Sequence, residues 1–262
     1  MRTNSVKALF EADKPAIGTW VTLCPHPRVI KIFAAAGFDF VIIEMEHTDF
    51  TMREVGVLTM VAREAGLTPI VRPPGTEKPH DLTRPLDAGA QGLLLPNIET
   101  AEQMEAIVRA TKYHPRGSRI MNLKGPHTDY APGDPAETIA HLNAHTILVA
   151  MIETQNGLDN LEAICGVDGV DAIMLGPDDL SQDLGVPGQL RHEKMLSAME
   201  QLVSTCRPLG MPCGFSAQTP EFAQEWIAKG IRWVPFQNDA AMVFNTSHAA
   251  VPRLMEIAGR MG

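Results

Sequence analysis

The sequence has no long hydrophobic run, few cysteines and no excess of positive charge, and each absence excludes a class of protein. The N-terminal stretch MRTNSVKALFEADK is amphipathic and has no continuous apolar region, so we expect neither a signal peptide nor a membrane span. The net charge of −9 argues against nucleic acid or an anionic membrane surface as a partner. The cysteines form no C-x-x-C pair and are typical of thiols in a reducing compartment: Cys24, Cys165, Cys206 and Cys213. We therefore expect a cytoplasmic protein, in which an anionic ligand must meet a local arginine or a metal ion.

One pattern recurs along the chain and predicts its architecture. A helical stretch ends in glycine and an apolar strand follows, at Gly37, Gly66, Gly89, Gly169, Gly210 and Gly230. Glycine takes the left-handed conformation that turns a helix end back into a strand. With a first strand at Ile17–Thr22 and a fifth at Ile147–Ile152, the count reaches eight strands. The length of 262 residues and the hydrophobic share of 45% suit one large domain, so we predict a single (β/α)₈ TIM barrel over residues 1–262.

Local signals mark where several helices begin. Thr100 to Gln103 has the sequence of a capping box, and Asp134 followed by proline predicts the start of a helix at Pro135–His145. The Gly- and Pro-bearing loop Tyr113–Gly133 is long, which is typical of functional or mobile loops. The segment Ala240–Met261 has helical spacing and predicts the last barrel helix, with packing on a neighbouring subunit as the alternative.

Two buried strands each end on an acid. The fifth strand is followed by Glu153, and the sixth, Ala172–Leu175, is followed after a Gly-Pro turn by Asp178 and Asp179. Helical spacing over Gly157–Cys165 makes this a βαβ unit, in which both strand ends lie on one edge of the sheet. Carboxylates side by side repel one another unless a cation is bound, which predicts a divalent-metal site.

The two aspartates also have an alternative interpretation. An aspartate after a Gly-Pro turn is common at a helix start, so Asp178 or Asp179 would simply cap a short helix at Leu180–Leu184. In this interpretation neither carboxylate needs a metal ion.

Polar side chains stand at the predicted carboxyl ends of the eight strands, where TIM barrels carry their chemistry. They are Trp20, Glu44, Glu46, His47, Arg72, Asn97, Glu153, Asp178, Asp179, Ser216, Gln237 and Asn238. An arginine, a histidine and several carboxylates on one rim form an active-site constellation. As alternatives, Arg72 is a structural bridge to Glu44 or Glu46, and His47 is a rim histidine without a chemical role.

Six segments together resemble a known family. These are IIEMEH at 42–47, VRPP at 71–74, DAGAQGLLLPNIETAEQ at 87–103, YHPRGSR at 113–119, MIETQNGLDNL at 151–161 and GPDDLSQDLG at 176–185. Their order and content are similar to the HpcH/HpaI family of class II, metal-dependent pyruvate aldolases. The resemblance implies reversible cleavage of a 4-hydroxy-2-oxo acid into pyruvate, or a related 2-oxo acid, and an aldehyde through a metal-stabilised enolate. It also implies a homo-oligomer, a hexamer built as a trimer of dimers, with the last helix exchanged between subunits.

The resemblance assigns roles by position. Glu153 and Asp179 match the metal ligands, and oxygen-only ligands favour Mg²⁺ or Mn²⁺, with Co²⁺ and Zn²⁺ as alternatives. Arg72 would bind the keto oxygen and carboxylate of the substrate, and His47, paired with Glu44, would be the base. The remaining substrate-binding residues in this assignment are Gly176, Pro177, Asp178, Trp20 and Ser216.

The chain departs from the family pattern at several positions. Glu44 stands where the carboxylate partner of the histidine is commonly Asp, and Met151 stands where some members have Gln. Residues 120–122 replace a Gly-rich continuation, and Ser216 replaces an apolar residue that often contacts the aldehyde. These changes leave the identity of the aldehyde open.

Two other functions compete with the metal-dependent aldolase. A CoA-ester lyase of the citrate-lyase β type needs a basic nucleotide-binding surface, for which Arg116 and Arg119 are the candidates. A non-catalytic barrel that binds 2-oxo acids would have lost turnover through Glu44 and Met151. A Schiff-base aldolase is excluded because no lysine is predicted at a strand end.

Overall fold

Eight parallel strands pair in chain order and close into a barrel. The computed structural model describes residues 1–131 and 133–260 of the chain. The strands are β1 (Ala16–Val21), β2 (Phe40–Glu44), β3 (Thr68–Arg72), β4 (Gly92–Leu95), β5 (Ile147–Ile152), β6 (Ala172–Leu175), β7 (Cys213–Phe215) and β8 (Trp233–Asn238). Pairing of β1 with β8, with Ala16 opposite Trp233, closes the ring. The predicted (β/α)₈ TIM barrel is confirmed.

The helices alternate with the strands and surround the barrel. They are α1 (Ser5–Glu11), α2 (Pro27–Ala36), α3 (Met52–Glu64), α4 (Pro79–Asp87), α5 (Ala101–Thr111), α6 (Pro135–His145), α7 (Gln155–Asp159), α8 (Leu161–Cys165), α9 (Pro177–Asp183), α10 (Glu193–Cys206), α11 (Pro220–Lys229) and α12 (Asp239–Ile257). The predicted bounds of β5, β6 and α6 agree with the structure residue by residue, and β1 begins and ends one residue earlier than predicted.

The local signals in the sequence are confirmed. All six glycines that were predicted to end helices have φ between +65° and +122°: Gly37, Gly66, Gly89, Gly169, Gly210 and Gly230. In the capping box of α5, the N–H of Gln103 donates to the Thr100 hydroxyl, and the Gln103 side chain accepts from the N–H of Thr100. The Asp134 carboxylate accepts from two N–H groups at the start of α6.

The structure corrects two expectations about helices. The helix predicted over Gly157–Cys165 is two short helices that meet at Asn160. The side-chain amide of Asn160 donates to the carbonyl oxygen of Glu99, on the loop between β4 and α5. The short helix predicted at Leu180–Leu184 begins earlier, at Pro177, and Gly176 is its N-cap. Asp178 and Asp179 therefore lie inside its first turn and do not cap it.

Apolar side chains fill the barrel and close one of its ends. Inside, the rings of Phe40 and Trp233 stack with their centroids 4.0 Å apart. Helix α1 covers the amino end of the strands, where Val6 is fully buried and the Asn4 side chain donates to the carbonyl oxygens of Gln91 and His145. The amino end of the barrel is thus closed.

The long loop at 113–133, of which Pro132 lies outside the described residues, is held by two buried arginines. The guanidinium of Arg63 donates to the carbonyl oxygen of Pro126 and lies 2.9 Å from a carboxylate oxygen of Asp129. Arg119 is paired with Asp87 at 2.5 Å. The loop is therefore anchored to α3 and α4, on the outside of the barrel.

The last helix differs from the others because it covers little of the barrel. In α12 only Asp239 is buried, and most of the large apolar side chains along it are exposed: Val243, Phe244, Val251, Leu254, Met255 and Ile257. The end of the predicted C-terminal segment, at Met261, lies outside the described residues. Over residues 1–131 and 133–260, no helix combines the length and the apolar character needed to cross a bilayer.

Lys112 is buried at the amino end of the barrel. Its ammonium donates to the carbonyl oxygens of Asn143 and Thr146, just before β5. Burial lowers the pKa of Lys112 from 10.5 to about 8. A charged group is therefore held where water scarcely reaches, at the cost of part of the stability of the fold.

The pH dependence of stability tests this burial. Between pH 8 and 10.5 the unfolded chain binds a proton at Lys112 that the folded chain has lost, so the folded state gains stability as the pH rises. The unfolding free energy of wild type minus that of Lys112→Met should rise by about 3 kcal/mol across this window, because one pKa unit corresponds to about 1.4 kcal/mol. Urea titrations at pH 7, 8.5 and 10 measure it. A difference that stays constant would contradict the assignment.

Candidate functional site

A cavity of about 390 Å³ opens at the carboxyl end of the strands. Every residue that the resemblance assigned to the site lines it: Trp20, Glu44, His47, Arg72, Glu153, Gly176, Pro177, Asp178, Asp179 and Ser216. The structure therefore brings together side chains from β1, β2, β3, β5, β6 and β7 that are far apart in the sequence. Their individual roles stay predictions.

Glu153 follows β5 and is 3% exposed. Its carboxylate accepts a hydrogen bond of 2.8 Å from the backbone N–H of Asn97, which has a left-handed backbone with φ of 55°. Burial raises the pKa of Glu153 to about 7; the N–H of Asn97 and the charge of Arg72 oppose the rise, and the charges of Asp179 and Glu46 add to it. A carboxyl in this position becomes ionised more readily when a cation is next to it.

Gly176 makes room for Glu153. A Cβ atom at Gly176 would lie 2.5 Å from a carboxylate oxygen of Glu153 and 2.7 Å from the methyl carbon of Met151. Both contacts are much closer than van der Waals distance. The glycine after β6 is therefore required by the side chain that β5 places beside it.

Arg72 is held from three sides at the end of β3. Its Nε lies 2.5 Å from a carboxylate oxygen of Glu44, and its Nη1 lies 3.2 Å from one of Glu46. The guanidinium carbon lies 4.9 Å from the centre of the Trp20 ring, and Nη1 is 3.9 Å from the sulfur of Met151. Arg72 is thus the bridge to Glu44 and Glu46 that the sequence offered as an alternative, and it also lines the cavity, so the structural and functional interpretations coexist.

Glu44 pairs with Arg72 and with backbone N–H groups, and its carboxylate forms no hydrogen bond with the ring of His47. The second carboxylate oxygen of Glu44 accepts from the N–H groups of Glu46 and His47 at 2.6 and 3.1 Å. The carboxylate beside the imidazole is that of Glu46, 3.8 Å from Nε2. Burial raises the pKa of Glu46, with Arg72 and His47 opposing the rise. His47 itself stands at the mouth of the cavity with 64% of its side chain exposed.

The arc of the rim formed by β7, β8 and β1 differs in chemistry from the rest. The indole N–H of Trp20 donates to the Ser216 hydroxyl at 3.2 Å, and the Gln237 amide donates to the carbonyl oxygen of Gln218 at 2.8 Å. Asn238 completes this arc of the lining. The groups here are hydroxyls and amides, whereas the arc from β2 to β6 holds the carboxylates and Arg72.

The donor set suits a divalent cation bound by oxygen. Glu153 and Asp179 face the same cavity, and the charge of Asp179 contributes to the raised pKa of Glu153. Across the described residues, no group of three or more His, Cys, Asp or Glu side chains is arranged to hold a metal ion. Mg²⁺ commonly binds through one or two carboxylates and keeps its other positions for water and substrate, so two carboxylates fit this ion.

Two contributors were missed by reasoning from sequence. The Asp239 carboxylate accepts from the N–H groups of Thr22, Leu23 and Cys24 and so ties the loop after β1 to the start of α12. Asn97 was noted for its side chain, but it contributes its backbone N–H. The polar run Gln237-Asn238-Asp239 after an apolar strand is a sequence signal that could have identified Asp239. A backbone N–H group, such as that of Asn97, has no signal in the sequence.

The residues that alternative functions require are engaged elsewhere. Arg116 pairs with Asp168 and Arg119 with Asp87, so neither candidate for a nucleotide-binding surface is directed at the cavity. Lys112, whose lowered pKa suits a Schiff base, lies at the opposite end of the barrel. Within 1–131 and 133–260, no lysine lines the cavity.

Comparisons with known proteins point to one family. The sequence model of the family described as HpcH/HpaI aldolase/citrate lyase matches residues 17–240. A 4-hydroxy-2-oxovalerate aldolase from Novosphingobium aromaticivorans is 35% identical over 88% of this chain and 87% of that protein. A 5-keto-4-deoxy-D-glucarate aldolase from Shigella dysenteriae is 31% identical over 90% and 91%. The crystal structure of an HpcH/HpaI aldolase from Desulfitobacterium hafniense matches with a TM-score of 0.90 at 32% identity, covering 95% of this chain and 96% of that chain.

The close approach at Gly176 predicts the effect of adding one methyl group. Gly176→Ala forces Glu153 or Met151 to move and should lower the unfolding free energy by about 1–3 kcal/mol, as overpacking does. Gly56→Ala is the matched control, because it adds the same atom inside α3 with nothing within 4 Å. The control should raise the unfolding free energy by about 0.5–1 kcal/mol. Urea denaturation compares the two, and equal effects would refute the packing argument.

Proposed function

Since this chain belongs to the HpcH/HpaI aldolase/citrate lyase family, we propose that it is a divalent-metal-dependent aldolase that reversibly cleaves a 4-hydroxy-2-oxo acid into pyruvate, or a related 2-oxo acid, and an aldehyde. The observation that carries the proposal is the buried Glu153 carboxylate, which shares one rim with Asp179 and Arg72. The similar proteins named above as aldolases support the class of reaction.

In this proposal Glu153 and Asp179 hold the cation, Mg²⁺ or Mn²⁺ by their oxygen ligands. Bound there, a divalent cation supplies Lewis-acid stabilisation of negative charge on a 2-oxo acid. Arg72 donates N–H groups toward the same keto oxygen and carboxylate, and its contacts with Glu44, Glu46 and Trp20 fix its direction in advance. The orientation of Arg72 is therefore set before the substrate arrives.

His47 is the proposed base, with its ring beside Glu46 at the mouth of the cavity. It takes the proton of the 4-hydroxyl, the C3–C4 bond breaks, and the aldehyde carbonyl forms at C4. The electron pair of the broken bond passes to C3 and the C2 carbonyl, which gives an enolate. One proton added at C3, in place of the one taken from the 4-hydroxyl, then yields the 2-oxo acid. Glu44 acts on this chemistry through the position of Arg72.

The remaining lining residues shape the substrate site. The turn and first residues of α9 lie beside Glu153 and comprise Gly176, Pro177 and Asp178. The backbone N–H of Asp178 is in the first turn of this helix, where N–H groups have no hydrogen-bond partner within the helix. This position suits the substrate carboxylate. Trp20 and Ser216, joined by a hydrogen bond, lie on the arc that would meet the aldehyde part.

We also propose that the enzyme is a homo-oligomer, a hexamer arranged as a trimer of dimers, in which α12 packs on a neighbouring subunit. Phe244, Val251 and Met255 recur at helical spacing on α12 and are all exposed. A helix with an uncovered apolar stripe gains stability when a second surface covers it.

The proposed unit of function is the whole chain, residues 1–262, acting as one barrel domain in the cytoplasm. The four cysteines form no disulfide in the described part of the chain, which suits a reducing compartment.

Exchange of the methyl protons of pyruvate in heavy water tests the enolate chemistry without knowledge of the aldehyde. NMR should show exchange with added Mg²⁺ or Mn²⁺ and none after chelation. Arg72→Ala should slow exchange about 100-fold, because one preorganised donor to the oxyanion is lost. Asp179→Ala should abolish it at the metal concentration that saturates wild type.

Arg53→Ala is the control for this experiment, since Arg53 is exposed on α3 and does not line the cavity. It should exchange at the rate of wild type. Absence of exchange in wild type with either metal would refute the proposed function, and normal exchange in Arg72→Ala would refute the assigned site.

The oligomer is tested by placing charge on the exposed stripe of α12. Phe244→Glu with Val251→Glu should convert the assembly to smaller species in light scattering after gel filtration, because a buried interface would have to accept two carboxylates. Arg253→Glu, on the opposite face of the helix, should leave the mass unchanged. A wild type that is monomeric at micromolar concentration would contradict the proposal.

A further inference from the structure

The rim of the cavity is divided by charge into two arcs. The arc from β2 to β6 carries the carboxylates and Arg72, and the arc from β7 through β8 to β1 carries Ser216, Gln218, Gln237 and Trp20. We propose that the aldehyde released by this enzyme is small and uncharged, carries hydroxyl groups and has no carboxylate. This inference rests on the proposed function.

The described lining of the cavity holds little positive charge. Of the arginines and lysines in the described chain, Arg72 is the one that lines the cavity, and its Nε and Nη1 already face Glu44 and Glu46. A bound divalent cation would be balanced by Glu153 and Asp179 and would face the 2-oxo acid. Among the described residues of this chain, no other Arg or Lys side chain lines the cavity to meet a second carboxylate on the substrate.

A carboxylate without a cationic partner among the described residues also lines the cavity. Asp178 lines the cavity, is exposed, and has no salt-bridge partner among the described residues. An anionic aldehyde would enter a site whose fixed charges repel it, whereas a neutral aldehyde would not.

The neutral arc holds groups that can both donate and accept hydrogen bonds. Ser216 accepts the indole N–H of Trp20, which leaves the hydroxyl proton of Ser216 to donate. Gln237 uses one amide N–H on the carbonyl oxygen of Gln218 and has a second N–H and an oxygen besides. Groups that both donate and accept match hydroxyl groups, which do the same.

Two aldehydes form a matched pair for the test. Racemic glyceraldehyde and racemic tartronate semialdehyde differ at one end, where a hydroxymethyl group is replaced by a carboxylate. In aldol addition of pyruvate with saturating Mg²⁺, kcat/KM for glyceraldehyde should exceed that for tartronate semialdehyde at least about tenfold. Propanal, which is neutral but lacks hydroxyls, should fall below glyceraldehyde. Equal rates, or a preference for the anion, would overturn the inference.

A charge added to the neutral arc gives a second test. Gln218 is exposed and lines the cavity. Gln218→Arg should shift the ratio of the two kcat/KM values toward tartronate semialdehyde about tenfold or more, while Gln218→Met, a neutral change of similar size, should not. The ratio cancels any general loss of activity. A ratio that moves equally in both variants, or in neither, would contradict the charge argument.

Failure of this inference is distinguishable from failure of the proposed function. Methyl-proton exchange on pyruvate in wild type reports the enolate chemistry alone. If exchange occurs and the anionic aldehyde is preferred, the proposed function stands and this inference falls. If exchange does not occur, both fall.

Discussion

Burial of carboxylates close together at one end of the barrel is the constraint on which the rest of this site depends. Glu153 is almost inaccessible to water, and its charge is compensated in this structure by the Asn97 N–H and the nearby guanidinium of Arg72. Such a carboxyl ionises with difficulty, which its raised pKa of about 7 expresses. Gly176 leaves space for the Glu153 side chain, and the left-handed backbone at Asn97 accompanies the N–H group that donates to its carboxylate.

Arg72, the one arginine that lines the cavity among the described residues, links the cavity to the barrel wall. Glu44 and Glu46 hold two of its nitrogens and the Trp20 ring covers its face, so the guanidinium has one direction open, toward the cavity. A side chain fixed in this way loses little further entropy when it binds a ligand. In the proposed function, the same contacts let Glu44 act through the position of Arg72, although Glu44 forms no hydrogen bond or ion pair with the imidazole ring.

The two ends of the barrel have opposite roles. At the amino end, α1 covers the strands and Lys112 is buried with its ammonium bonded to backbone carbonyls. At the carboxyl end the strands open into a cavity lined by charged and polar groups. A lysine with a lowered pKa is therefore structural here, because the fold places it on the side that substrate does not reach.

Sequence alone determined the repeated helix, glycine and strand pattern, and with it the eight-stranded barrel and the rim on which Glu153, Asp179, Arg72 and His47 lie. It did so because the left-handed turns, capping boxes and short apolar runs are local and act through a few neighbouring residues. Pairings across the rim depend on side-chain reach and on backbone donors from distant segments. Only the tertiary structure therefore decided that Glu44 holds Arg72 while Glu46 lies beside His47, that a backbone N–H of Asn97 supports Glu153, and that the uncharged groups gather on a separate arc.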